Sequence, residues 1–118
     1  MMRLIWISAI SVVASVELAL ADCAKDHVHL SGGWGTAQFA VKLADDDAER
    51  AKGLMYIDSI GQFSGMLFIY DAPQKVAFWM KNTLIYLDIL YFTAQGKLLD
   101  IHENAIPGDL TPLRSSGP

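Results

Sequence analysis

Six residues hold the densest mixture of chemical types in this chain. Phe78, Trp79 and Met80 run directly into Lys81, Asn82 and Thr83. A cation, an amide and a hydroxyl beside an indole could orient a ligand, because small-molecule sites combine aromatic walls with a few placed polar groups. The same order also describes a strand entering a turn, since Asn tolerates the left-handed backbone of tight turns.

Asp88 is the second such residue. It interrupts "LIYLDILYF", nine residues in which the other eight are apolar or aromatic. A carboxylate desolvated there without a partner costs several kcal/mol on an order-of-magnitude scale. Arg50 is the better counter-ion, because its planar fork can hold a carboxylate with two bonds. An Arg50–Asp88 pair is therefore expected. Its plainest role is to pin a helix to a sheet; its chemical alternative is Asp88 as an acid or base in an enzyme.

Other candidate chemistry is thinner. Met55, Met66 and Met80, with His27 and His29, could offer soft ligands to copper, but they fall on separate elements, and methionine is by default a core filler. "HEN" at His102–Asn104 starts like a zinc motif, but Ile106 stands where the second histidine would be. The run Asp45–Asp47 lacks the alternation and central Gly of a calcium loop. There is no nucleophile elbow and no phosphate-binding Gly loop, and Cys23 is the single cysteine, which excludes an internal disulfide. No metal and no cofactor is assigned from these patterns.

The elements that must position these residues read as strands. "AQFAVKLA" alternates, with Phe39, Val41 and Leu43 on one face. Asp46 and Glu49 have capping-box spacing, which starts a short helix that Gly53 can end. "GMLFIY", "VAFWM", "LIYLDILYF" and "LLDIH" follow as strands, with "TAQGK" a turn. A hairpin between Val76–Met80 and Leu84–Phe92 would put Val76, Phe78, Met80, Ile85, Leu87 and Ile89 on a core face, and Trp79, Lys81, Tyr86 and Asp88 on the other. The fold class is mainly β: a small antiparallel barrel or sandwich with one short helix.

The chain has 118 residues, enough for one domain. Residues 1–21 have the form of an export signal. Arg3 precedes a 13-residue apolar run, "LIWISAISVVASV", and "ALA" precedes a cleavage point between Ala21 and Asp22. An uncleaved anchor is the alternative, and the location expected is periplasmic or secreted. Residues 22–35 read as a flexible leader and 36–118 as the β-rich domain. "IPGDLTPLRSSGP" ends without a further strand, so C-terminal strands are expected to be missing. A net charge of −4 without a basic patch argues against nucleic acid as a partner.

Four ordered blocks carry a family resemblance: "ERAKGLM" at 49–55, "GMLFIY" at 65–70, "FWMKNT" at 78–83 and "LDILY" at 87–91. In these the chain resembles the prokaryotic domain-of-unknown-function family 192, from about Phe39 to Pro107. The resemblance implies a small exported or membrane-associated β-rich domain and no particular activity. It matches the family's recurrent polar positions to Arg50, Lys81, Asn82, Thr83 and Asp88. Tyr86 departs from the family's usual proline, and the family continues beyond "SSGP" with further strands. Arg50, Trp79, Lys81, Asn82, Thr83 and Asp88 are thus the candidate binding residues for an unidentified small ligand or envelope component.

Overall fold

The computed structural model describes residues 26–118. The segment read as an export signal and Cys23 lie outside the described residues. Among the described residues seven strands form three small sheets, accompanied by one helix. The mainly β sandwich-like class expected from the sequence is what the chain adopts.

Strands β1 (His27–Gly32) and β2 (Gly35–Ala44) pair antiparallel, from His27 opposite Ala40 to Gly32 opposite Gly35. The reading of 22–35 as a flexible leader does not hold for these residues. Gly33 and Trp34 make a two-residue turn, the shortest common hairpin connection, and Gly35 beside them takes φ 128°. The glycines of this stretch are what lets the hairpin close. A Cβ on Gly32 would come within 2.6 Å of Trp34 Nε1, so the indole depends on its absence.

Strand β3 (Ser64–Phe68) pairs with β2 in parallel, Ala40 opposite Ser64 and Ala44 opposite Phe68. A parallel pair needs a long crossover. Residues 45–63 supply it and include α1 (Asp47–Lys52). Its capping follows the sequence reading. Asp46 Oδ1 accepts the Glu49 N–H at 2.7 Å, and Gly53, at φ 48°, donates its N–H to the Glu49 carbonyl.

The expected hairpin of 76–80 with 84–92 does not form. Strand β4 is only Ala77–Phe78 and pairs antiparallel with β7 (Leu113–Arg114). Ser115, itself buried, extends that pair: its N–H donates to the Val76 carbonyl and its Oγ accepts the Val76 N–H. Strand β5 (Leu87–Phe92) instead pairs antiparallel with β6 (Leu98–Ala105), across the "TAQGK" turn. The pairing assignment was wrong, but the sidedness was right. Val76, Phe78 and Met80 point inward, and Trp79, Lys81, Tyr86 and Asp88 point out.

Side chains tie the three sheets together. Phe68 of β3 meets Phe78 of β4 edge-on at 4.7 Å between ring centroids. Phe78 meets Tyr91 of β5 at 6.0 Å, and Tyr91 meets His102 of β6 at 5.7 Å. Such tilted and edge-on contacts suit the ring quadrupoles. The Tyr91 hydroxyl donates to the Leu113 carbonyl at 2.5 Å, so one side chain bridges β5 to β7. Burial, helped by Tyr70 and Asp100, pushes the Tyr91 phenol up to about 12.

Candidate functional site

Three loops are joined by backbone hydrogen bonds into one cluster, the loop end. They are 54–57 after α1, 79–86 between β4 and β5, and 106–110 between β6 and β7. Met80 is the hub. It is 2% exposed, its N–H donates to the Asp109 carbonyl at 2.8 Å, and its carbonyl accepts the N–H groups of Gly108 and Thr83. The first loop joins through the Tyr56 N–H, which donates to the Asn82 carbonyl at 2.9 Å.

That last contact is costly. Tyr56 sits at φ 64° and Asn82 at φ 54°. Asn adopts the left-handed region readily, but a bulky residue there costs roughly 1–2 kcal/mol. Tyr56 nevertheless remains 65% exposed. A strained, solvent-facing aromatic is a feature that concentrates at functional sites.

The outer surface of these loops is apolar and aromatic. Tyr56, Trp79, Leu84, Tyr86, Ile106 and Leu110 are all exposed. Lys81 lays its ammonium over the Trp79 ring, 5.1 Å from the centroid. Asn82 Nδ2 has the Met55 sulfur, 4.0 Å away, as its side-chain contact. A cleft of about 340 Å³ runs from β6 into the third loop, along Ile101, His102, Asn104, Ile106, Asp109 and Leu113. His102 Nε2 donates to the Arg114 carbonyl there, and Asp109 Oδ1 accepts the Thr111 N–H, which holds the Asp109 carboxyl below its ordinary value.

Of the six residues singled out from sequence, Trp79, Lys81 and Asn82 stand together at this end. Thr83 is in the same loop but buried, and its Oγ1 donates to the Lys81 carbonyl at 3.3 Å. Its hydroxyl braces the turn rather than facing solvent. The expected Arg50–Asp88 pair is absent. Arg50 donates to Asp47 Oδ1 at 2.8 Å and to the Ile69 carbonyl at 2.6 Å, and lies over the Tyr70 ring. It fastens α1 to the end of β3.

Asp88 is exposed and accepts the Asn104 N–H at 2.8 Å. The reason lies in the ladder: Leu87 opposes Ala105, but Ile89 opposes His102, so β6 carries an extra residue in a bulge. Asn104, at φ 52°, is left with an unpaired N–H, and Asp88 satisfies it. The lone carboxylate in an apolar ribbon marks a bulge, not a counter-ion site. One carboxylate oxygen of Asp88 thus has a structural task, whatever else the residue does.

Two metal readings also weaken. His27 and His29 are on β1, while Met66 is on β3, the opposite neighbour of β2, about 10 Å away at ordinary strand spacing. Asp45, Asp46 and Glu49 bring carboxylate oxygens within 4.8 Å, all exposed. Asp46 is there as the helix cap, where the Glu49 N–H holds its carboxyl low, while the side-chain interaction with Asp46 raises the Glu49 carboxyl. Sequence reasoning missed Tyr56, Ile106 and Leu110; the available signal was large apolar residues placed directly in turns, in "LMYI" and "AIPGDL".

Fold and site together define a small β-sheet domain with a braced, aromatic loop end. The chain belongs to the family DUF192, described as "Uncharacterized ACR", whose model matches residues 28–118. It is similar to a solved protein of unknown function from Novosphingobium aromaticivorans, with 40% identity and a TM-score of 0.76, over 78% of this chain and 66% of that one. It is also similar to a protein of Sinorhizobium meliloti described as "a putative transcription regulator", with 37% identity and a TM-score of 0.74, over 77% of this chain and 71% of that one. No curated protein matches the chain.

The second relative corrects one expectation. Net acidity argues against nucleic acid as a partner, yet a relative this similar is described as a putative transcription regulator. Net charge is an average over the surface, and one local cation on an aromatic face escapes it.

Proposed function

We propose that the chain is an exported binding domain that holds a small ligand or an envelope component at its loop end. The observation that carries this reading is the strained backbone of Tyr56, an exposed residue whose N–H is bonded to the Asn82 carbonyl of the loop that carries Trp79 and Lys81. Packing alone gives no reason to keep a tyrosine at φ 64° and leave it 65% exposed. Export is supported by the form of residues 1–21.

A thermal-shift screen of the full chain against peptidoglycan fragments, metals, small acids and a short single-stranded oligonucleotide tests the proposal. Trp79→Ala and Lys81→Gln serve as controls. Stabilisation of the wild type alone supports the loop end, because a ligand that binds only the folded state raises its stability. Equal stabilisation of wild type and both variants moves the site elsewhere.

The description of the Sinorhizobium protein favours a second reading, contact with nucleic acid. Trp79 with Lys81 has the form of a stacking platform beside a cation. This reading is distinguished by binding that weakens steeply with salt.

A further inference from the structure

The proposed loop end holds two exposed side-chain donors, Lys81 and Asn82. Among the described residues the ion pairs are Asp26 with His27 and Arg50 with Asp47, so Lys81 has no carboxylate partner. Other lysines share that freedom. Lys81 differs because its ammonium is seated on an aromatic ring, 5.1 Å from the Trp79 centroid. Its neighbour Asn82 directs Nδ2 at a thioether sulfur 4.0 Å away, a weak acceptor at long range. Trp79 is half exposed, so part of its indole surface faces solvent.

We infer that the loop end takes a small anionic ligand carrying a flat ring. Its phosphate or carboxylate sits on Lys81 Nζ and Asn82 Nδ2, and its ring lies against Trp79. The inference rests on the loop-end reading and specifies its ligand class. Charge-assisted hydrogen bonds make the anionic group the main source of discrimination.

The test uses matched pairs of ring compounds on the full chain: adenosine monophosphate with adenosine, and benzoate with benzamide. The readout is the Trp79 indole N–H resonance, assigned by its loss in Trp79→Phe. The expected result is a shift with at least one anion, whose neutral partner binds about tenfold or more weakly, a difference of ~1.4 kcal/mol. Response to the monophosphate alone identifies a phosphate ligand, and response to benzoate alone a carboxylate; either supports the inference. Lys81→Gln should remove the anion preference and Lys81→Arg should keep it, with unchanged melting temperatures in both. Equal binding of anion and neutral partner overturns the charge inference while leaving the loop end a binding site. No shift of Trp79 with any of the four, up to about 10 mM, overturns both.

Discussion

Replacing Asp88 separates the bulge account from the ion-pair expectation. In the structure the carboxylate accepts one backbone N–H at 2.8 Å, from the residue that the β5–β6 ladder leaves unpaired. Asp88→Ala removes the acceptor and leaves that N–H to water. The bond is charge-assisted but exposed, so its worth lies at the ordinary level of about 1 kcal/mol rather than the higher level of a buried charged bond. For a domain of this size ~1 kcal/mol corresponds to a fall in Tm of about 4–8 °C. Asp88→Asn keeps a carbonyl oxygen in place and should lose less than half of that. Thermal melts of both variants give the comparison, and hydrogen exchange at the Asn104 amide gives the local readout. Exchange should quicken in Asp88→Ala and stay slow in Asp88→Asn. If Asp88→Asn is as damaging as Asp88→Ala, charge rather than the acceptor matters, and the bulge explanation is wrong.

Other outcomes follow from single contacts. Tyr56→Asn should raise stability, by up to about 1 kcal/mol in urea titration, because Asn fits φ 64° better than Tyr, while weakening any ligand held at the loop end. Met80→Ala should cost about 2–5 kcal/mol, since the side chain is 2% exposed and its removal leaves a cavity under the three loops. Tyr91→Phe should cost about 0.5–1.5 kcal/mol in the same titration by freeing the Leu113 carbonyl. The Asp100 carboxyl is held below its ordinary value of 3.8, first by the Ser116 N–H, so its contribution is complete above that value and is lost as pH falls through the lower native one. Acid titration of Asp100→Asn against wild type should therefore diverge above pH 3.8 and converge below it.

The sequence made the local devices legible and the long-range pairing illegible, for a physical reason. The Asp46–Glu49 cap, the Gly53 stop and the "TAQGK" turn are decided within a few residues, and each was readable. Alternation also gave the facing of Phe78 and Met80 inward and of Trp79 and Lys81 outward, because side-chain period does not depend on which strand lies alongside. The partner of β4 was not readable. Adjacent strands usually pair, but here residues 79–86 are drawn off into the loop bonded to Tyr56 and Asp109, and β7 takes the vacant edge. The Asp88 reading failed in an instructive way. A lone acid among apolar residues requires a partner, and an orphaned backbone N–H satisfies that need as well as a cation does. At the candidate site, residues with polar chemistry were found, whereas Tyr56 was missed because backbone strain leaves no mark on a sequence.

The account stands on the three loops acting as one recognition surface. Amide and indole chemical-shift mapping of the full chain with a hit from the ligand screen tests this most directly. The expected shifts fall on Tyr56, on Trp79–Thr83 and on Ile106–Leu110, and vanish in Trp79→Ala. Shifts confined to the α1 acidic cluster or to the β1–β2 hairpin, with the three loops unmoved, would contradict it.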